Sequence, residues 1–156
     1  MDMDMGMNRA AFAILLSLAC ASATAATNEW QTGWGQGKTE FFAGDEAKSY
    51  LNFACDENDE MSPVSGSATI SGKEFYSHND KGGFDVIVDG VEYSNPFYVE
   101  CNACSGNFPA FWAAMRKAKT IELKAEGLTS SIPTKGLSKL TKPYASKENP
   151  CGTGTW

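Results

Sequence analysis

Apolar and polar positions alternate through the middle of the chain. In residues 48–55 (KSYLNFAC), Leu51 and Phe53 alternate with Tyr50 and Asn52, the period of two that a half-buried strand requires. Residues 39–43 (TEFFA) read as its partner across the turn pair Gly44-Asp45. Short strands are expected at 67–70 and 74–77 around Ser71-Gly72. In residues 84–93 (FDVIVDGVEY), Phe84, Val86 and Val88 alternate with Asp85 and Ile87. Asp89-Gly90 supplies a two-residue turn whose twist suits a hairpin. Residues 97–101 (FYVEC) and 120–124 (TIELK) keep the strand period.

One stretch changes period. Phe108, Phe111, Trp112 and Met115 recur at i, i+3, i+4 and i+7, so a helix is expected there. Asn107 is placed to cap it, Pro109 suits its first turn, and Arg116, Lys117 and Lys119 would lie in its last turn. Residues 137–144 predict a short helix stopped by Pro143. The expected fold is therefore mainly β with minor α+β character. It is an antiparallel β-sandwich or barrel with one amphipathic helix over an opening, stapled by disulfides.

The amino-terminal pattern is different again. Residues 10–19 (AAFAILLSLA) form an apolar run that follows Arg9 and precedes the small residues Ala23-Thr24-Ala25. A run of about ten residues is too short to span a bilayer. Residues 1–25 thus read as a cleaved export signal, and residues 26–156 as a single β-rich domain starting at Ala26. A membrane anchor is the alternative, and acylation at Cys20 a variant in which Ser17 stands where leucine is preferred.

Cleavage changes the arithmetic. The chain of 156 residues carries 19 acids and 13 Lys and Arg, for a formal charge of −6. Removing Asp2, Asp4 and Arg9 leaves 17 acids and 12 bases, or −5 over 156 − 25 = 131 residues. That acidic balance argues against a nucleic-acid groove, which needs clustered cations for phosphate. The odd cysteine count becomes even: Cys55, Cys101, Cys104 and Cys151 remain. Four cysteines in an exported domain read as two disulfides with three possible connectivities. Cys101 with Cys104 as a local staple and Cys55 with Cys151 as the long closure is the favoured set.

Candidate chemistry is sparse. The sequence Gly33–Thr39 (GWGQGKT) ends like a phosphate-binding loop, but Thr32 stands where the first glycine belongs. It reads instead as a flexible glycine-rich lead-in, with Trp30 and Trp34 tucked onto the core. The CxxC of Cys101 and Cys104 suggests thiol chemistry, yet no βαβ pattern surrounds it. Zinc ligation would want two close cysteine pairs, and only one is present. In the acidic loop Asp56, Glu57, Asp59, Glu60, Met61 occupies the place of a calcium-loop glycine. His78 is the only histidine, so nucleophile–base chemistry would have to pass through it.

Several landmarks together resemble a periplasmic family of proteobacteria encoded beside type VI secretion systems. They are LNFAC ending in Cys55, VIVDG at Val86 to Gly90, the F…W…M…AKTI run from Phe108, Gly136-Leu137 and the late Cys151. That resemblance implies a β-rich periplasmic domain with a long-range disulfide; CNAC is extra to its pattern. A second likeness is to periplasmic lysozyme inhibitors, in which a Ser-Gly loop enters the enzyme cleft. Tyr50 to Cys55, Ser71-Gly72-Lys73-Glu74-Phe75-Tyr76 and Lys81-Gly82-Gly83 are similar to that arrangement.

The expected function is an exported, non-catalytic binding protein of the cell envelope, periplasmic or secreted. It would act through loops on a protein partner, in a secretion-associated accessory or immunity-type role. Inhibition of a lysozyme-like cell-wall hydrolase and CxxC thiol oxidoreduction are the alternatives. Contacts are expected from Ser71, Gly72, Lys73, Tyr76, His78 and Lys81, with no cofactor, no metal, no nucleic acid and no membrane insertion after cleavage.

Overall fold

The alternating strands assemble into two antiparallel sheets. A computed structural model describes residues 26–56, 58, 64–78, 82–100 and 102–152. Residues 1–25, expected to be an export signal, and Glu57, Asp59, Glu60, Met61, Lys81 and Cys101 lie outside the described residues. The first sheet is a meander in the order β1-β2-β3-β4-β5: Thr27–Gly35, Lys38–Asp45, Ser49–Asp56, Val64–Ile70 and Lys73–Tyr76. The second runs β7-β6-β8-β9: Val91–Tyr93, Asp85–Val88, Ile121–Ala125 and Leu128–Ile132. Every pairing is antiparallel.

Period two decides which face goes inside. Phe41 pairs with Phe53, and Phe53 with Gly66, so these three share the inner face of the first sheet. Val86 pairs with Leu123 on the second sheet, and both are buried. Along one side the sheets are joined by polar bonds: Ser49 Oγ donates to the Ser131 carbonyl (2.7 Å), and the Ser71 N–H donates to Ser130 Oγ (2.8 Å).

Two short helices, α1 (Asn102–Ser105) and α3 (Leu137–Leu140), flank the one longer helix, α2 (Phe108–Met115). Phe108, Phe111, Trp112 and Met115 of α2 are all buried, as their spacing predicts. Trp112 meets Phe41 and Phe53 of the first sheet edge-on, while Phe111 meets Tyr93 of the second. The helix thus closes the side of the sandwich that the polar bonds leave open. Residues after α3 wrap it. Trp112 Nε1 donates to the Lys142 carbonyl, and Phe108 packs on Tyr144. The chain then returns to β3, where Cys151 bonds Cys55 across 96 residues with Cα atoms 5.1 Å apart. Closing a loop of that length removes unfolded-state entropy worth about 4–5 kcal/mol in the chain-entropy model.

Five expectations are corrected. Residues 97–100 form a turn and irregular chain, not a strand. Phe97 is instead a plug, fully buried, stacked on Phe53 at 5.1 Å and touching Phe84 and Phe111. Its seat requires glycine opposite: a Cβ at Gly66 would lie 2.8 Å from the Phe97 ring. Asn107 is in helical conformation and makes no side-chain cap, and Arg116 is the C-cap, so the cations fall past the last turn. The lead-in is β1, an ordered strand, because Gln36 (φ 53°) and Gly37 (φ 80°) form a tight turn onto β2. Trp30 is buried as expected, its Nε1 donating to the Pro133 carbonyl, but Trp34 is 77% exposed. It sits opposite Thr39 on the edge strand of the sheet.

Candidate functional site

The outer face of the first sheet is where this fold leaves room. Register places Asn52 beside Ser67, and Ser67 beside Tyr76; one row further along, Glu40 lies beside Ala54, and Ala54 beside Ser65. Short side chains on β3 and β4 make a floor, and longer ones on β2 and β5 make walls. The outcome is an open recess of about 670 Å³, bordered by Lys38 and Glu40 on one side and Tyr76 and His78 on the other. A smaller hollow of about 140 Å³ adjoins it between Tyr50, Glu46, Thr69 and Glu74. Ser67 and Tyr76 line both, so Tyr76, 51% exposed, stands on the ridge between them.

The polar groups here are held in defined positions. Tyr76 Oη donates to Glu74 Oε2 at 2.9 Å, and that bond to a carboxylate raises the phenol above its ordinary pKa. Partial burial, with Glu46 nearby, does the same for Tyr50. Lys38 pairs with Asp56 at the far end (3.4 Å). Tyr76 therefore borders the recess, and Tyr50 the adjoining hollow, as a neutral hydrogen-bonding aromatic, a side chain suited to contact at low entropic cost.

His78 is fixed from below. Ser77 pairs with Gly66 through two bonds: its N–H donates to the Gly66 carbonyl (2.8 Å), and its Oγ accepts the Gly66 N–H (2.9 Å). The same Oγ lies 2.9 Å from His78 Nδ1, and His78 Nε2 lies 3.5 Å from Glu100 Oε1. Asn95 Nδ2 donates to the Ser77 carbonyl at 3.0 Å. Serine, histidine and glutamate thus stand in line, but Ser77 has no exposed surface. A nucleophile must be reached by its substrate, and this hydroxyl is covered. The line orients an imidazole at the rim of the recess.

Of the six residues singled out from the sequence, the five that are described divide between two places. Tyr76 and His78 border the recess. Ser71 (φ 51°) and Gly72 (φ 81°) form the β4–β5 turn, whose left-handed backbone favours glycine at the second position. Ser71 Oγ donates to the Thr129 carbonyl (3.1 Å), and Lys73 pairs with Glu126. That turn lies against the β8–β9 hairpin, away from Tyr76. Lys81 is outside the described residues. Sequence reading did not identify Lys38, Glu40, Ser65 or Ser67. The one signal they carry is their place on the polar face of each alternation, and alternation does not say which strands are neighbours.

Cys104 is disulfide-bonded, while Cys101 lies outside the described residues. Among the described residues no group of three or more His, Cys, Asp or Glu side chains is placed to hold a metal ion. No helix among them is long and apolar enough to cross a membrane.

Comparison with known proteins yields one relationship. The YfjT family model matches residues 28–141, from β1 to the residue after α3, and the chain belongs to that family. The match ends before Cys151, so the second half of the long disulfide lies beyond it. No curated protein and no solved structure matches.

Proposed function

We propose that this YfjT-family domain is an exported, non-catalytic binding protein of the cell envelope, holding a protein partner on the recessed outer face of its five-stranded sheet. One observation carries the reading: a recess of about 670 Å³ on a rigid sheet, with Tyr76 on its ridge and His78 at its rim. Exposed tyrosine beside serine, glycine and asparagine is the composition of antibody-type binding surfaces, in which tyrosine supplies the contact area and the short polar groups adaptable hydrogen bonds. The Cys55–Cys151 disulfide supports an oxidising compartment, where such bonds persist, in keeping with the signal-like residues 1–25. A secretion-associated accessory or immunity-type role follows from the resemblance noted in the sequence.

The same geometry weighs on the alternatives. For a lysozyme inhibitor, the Ser71-Gly72 turn would be the element entering a cleft, and it is bonded to Thr129 and Ser130 instead. For a hydrolase, the serine bonded to His78 is covered.

Photo-crosslinking in intact cells tests the proposal. A photoreactive residue at Tyr76 or Asn52 is expected to trap one discrete protein partner, and the same probe at Glu122 on the second sheet none. Adducts from Glu122 alone, or none at all, would overturn it. Lysozyme turnover in excess protein separates the inhibitor role, since an accessory protein leaves the rate unchanged.

A further inference from the structure

The recess uses the face of the five-stranded sheet; its first edge is open as well. β1 has β2 on one side, and the order of strands places no strand on the other among the described residues. Which of its backbone groups face outward follows from the turn. Gln36 and Gly37 are a two-residue loop with positive φ, so Gly35 and Lys38 form the closing hydrogen-bonded pair. Bonded pairs alternate with non-bonded ones along an antiparallel ladder. Gly33 with Glu40 and Gln31 with Phe42 are then bonded, and the N–H and C=O groups of Thr32 and Trp34 point away from the sheet. Trp30 confirms the parity independently: its outward N–H donates to the Lys135 carbonyl at 2.8 Å.

The open edge is therefore bounded. Lys135 covers it at Trp30, and the turn ends it at Gln36, leaving residues 31–35 (QTGWG). This stretch contains no charge and no proline, the usual guards against strand addition. On either side of its midpoint stand an exposed Thr32 and Trp34, the latter 77% accessible. Its midpoint is Gly33.

We infer that two copies of this chain pair antiparallel through β1 about a two-fold axis at Gly33. A second copy fits this edge for a reason of symmetry. With Gly33 on the axis, Thr32 of each copy stands opposite Trp34 of the other. Each such pairing exchanges two backbone hydrogen bonds, so the four outward groups on each copy are all satisfied. Gly33 faces its own counterpart in a non-bonded pair, where Cα atoms approach to ~4.5 Å, and it puts no side chain on the axis. Each exposed Trp34 ring comes to lie alongside Thr32 across the junction. At Gln36 each chain turns toward its own β2, clear of the residues that cover Trp30. The contact is isologous and closes at two copies.

The inference stands independently of the recess, and oligomeric state tests it. Sedimentation equilibrium of the purified protein is expected to give a concentration-dependent dimer. Thr32→Pro removes an outward N–H, which an edge strand tolerates, together with the exposed bond from Thr32 Oγ1 to the Glu40 carbonyl (2.9 Å). It takes two of the four cross-axis bonds from the dimer and should raise the dissociation constant at least about tenfold. The melting temperature of the monomer should fall only slightly, and Thr32→Val, which loses the hydroxyl but keeps the N–H, should match that fall without weakening the dimer. Gly33→Cys has room, since its Cβ would have nearest neighbours at 3.9 Å, and it should form a covalent dimer on mild oxidation. The cross-link decides the matter if the proline variant fails to fold. A monomer at every concentration, with no covalent dimer from the Gly33→Cys variant, overturns the inference, as does a dimer indifferent to Thr32→Pro. A Thr32-dependent complex with a different protein, the chain alone staying monomeric, overturns it in favour of strand addition by a heterologous partner.

Discussion

The two ends of the β4–β5 hairpin share a polar composition and differ in circumstances. At the turn, Ser71 and Lys73 are tied to Thr129, Ser130 and Glu126 of the neighbouring hairpin. At the other end, Tyr76 and His78 face an open recess. Both ends are polar, both carry a cation or an imidazole, and both look like contact loops in one dimension. The difference lies in what folds back beside each. The turn meets the second sheet, whereas the far end borders small side chains of its own sheet. A polar loop residue is available to a partner only when the rest of the chain has not already used it.

The largest effect expected on this contrast comes from the support under the open end. Phe97→Ala should lower unfolding free energy by about 3–5 kcal/mol, because it empties a fully buried aromatic site between Phe53, Phe84 and Phe111. Chemical denaturation measures it. A loss under about 1 kcal/mol would mean that Phe97 does not brace Gly66 and the recess.

Next in size is the effect on binding. Tyr76→Ala should weaken the partner complex about tenfold or more with little change in stability, whereas Ser71→Ala should leave affinity unchanged. Titration calorimetry with the cross-linked partner reads both, and equal losses would erase the distinction between the two ends. Ser130→Ala should do the reverse, costing about 0.5–1.5 kcal/mol of stability through the bond from the Ser71 N–H without touching affinity.

A smaller effect separates the second sheet from the first. Asp89 Oδ1 accepts the N–H groups of Thr120 (2.8 Å) and Lys119 (2.9 Å), and the Thr120 bond foremost holds its carboxyl below the ordinary pKa. A carboxylate whose pKa is depressed in the folded state contributes stability above its unfolded value of about 3.9 and loses it as pH falls through the folded value. Asp89→Asn should therefore melt slightly lower than the parent at neutral pH, the two curves converging in the acid range. Parallel curves throughout a pH series of melting temperatures would sink the assignment. Least of all, Lys73→Ala should change stability by no more than about 1 kcal/mol, since its pair with Glu126 is solvent-exposed. A larger loss would make that ion pair, and not the serine bonds, the anchor of the turn.

Much of this fold is legible in one dimension. Leu51 and Phe53 against Tyr50 and Asn52 mark β3, and Asp89-Gly90 marks the hairpin of β6 and β7. The four apolar residues of α2 are buried as their spacing requires. What escapes is instructive. β1 reads as a glycine-rich lead-in because QTGWGQG has neither period nor β-branched residues beyond Thr32; pairing with β2 supplies its order. β9 (LTSSI) is too polar to stand out, since its exposed side chains alternate with bonds to the other sheet. Residues 97–100 have strand composition, yet Phe97 is worth more as a plug over Gly66 than as a ladder position.

Local periods, the Asp89-Gly90 turn and the inner faces of β3, β6 and β8 come from the amino-acid order alone. Each depends on neighbours within a few residues, and backbone geometry makes those readable. The cysteines of the long disulfide are visible there too, among three possible sets. It took the packed chain to settle that Cys55 meets Cys151, that Ser71 is occupied while Tyr76 stands open to solvent, and that Lys38, Glu40 and Asn52 share one recess with His78. Those facts depend on which strands lie side by side. Strand order is set by the joint burial of many apolar faces, and no single segment carries it.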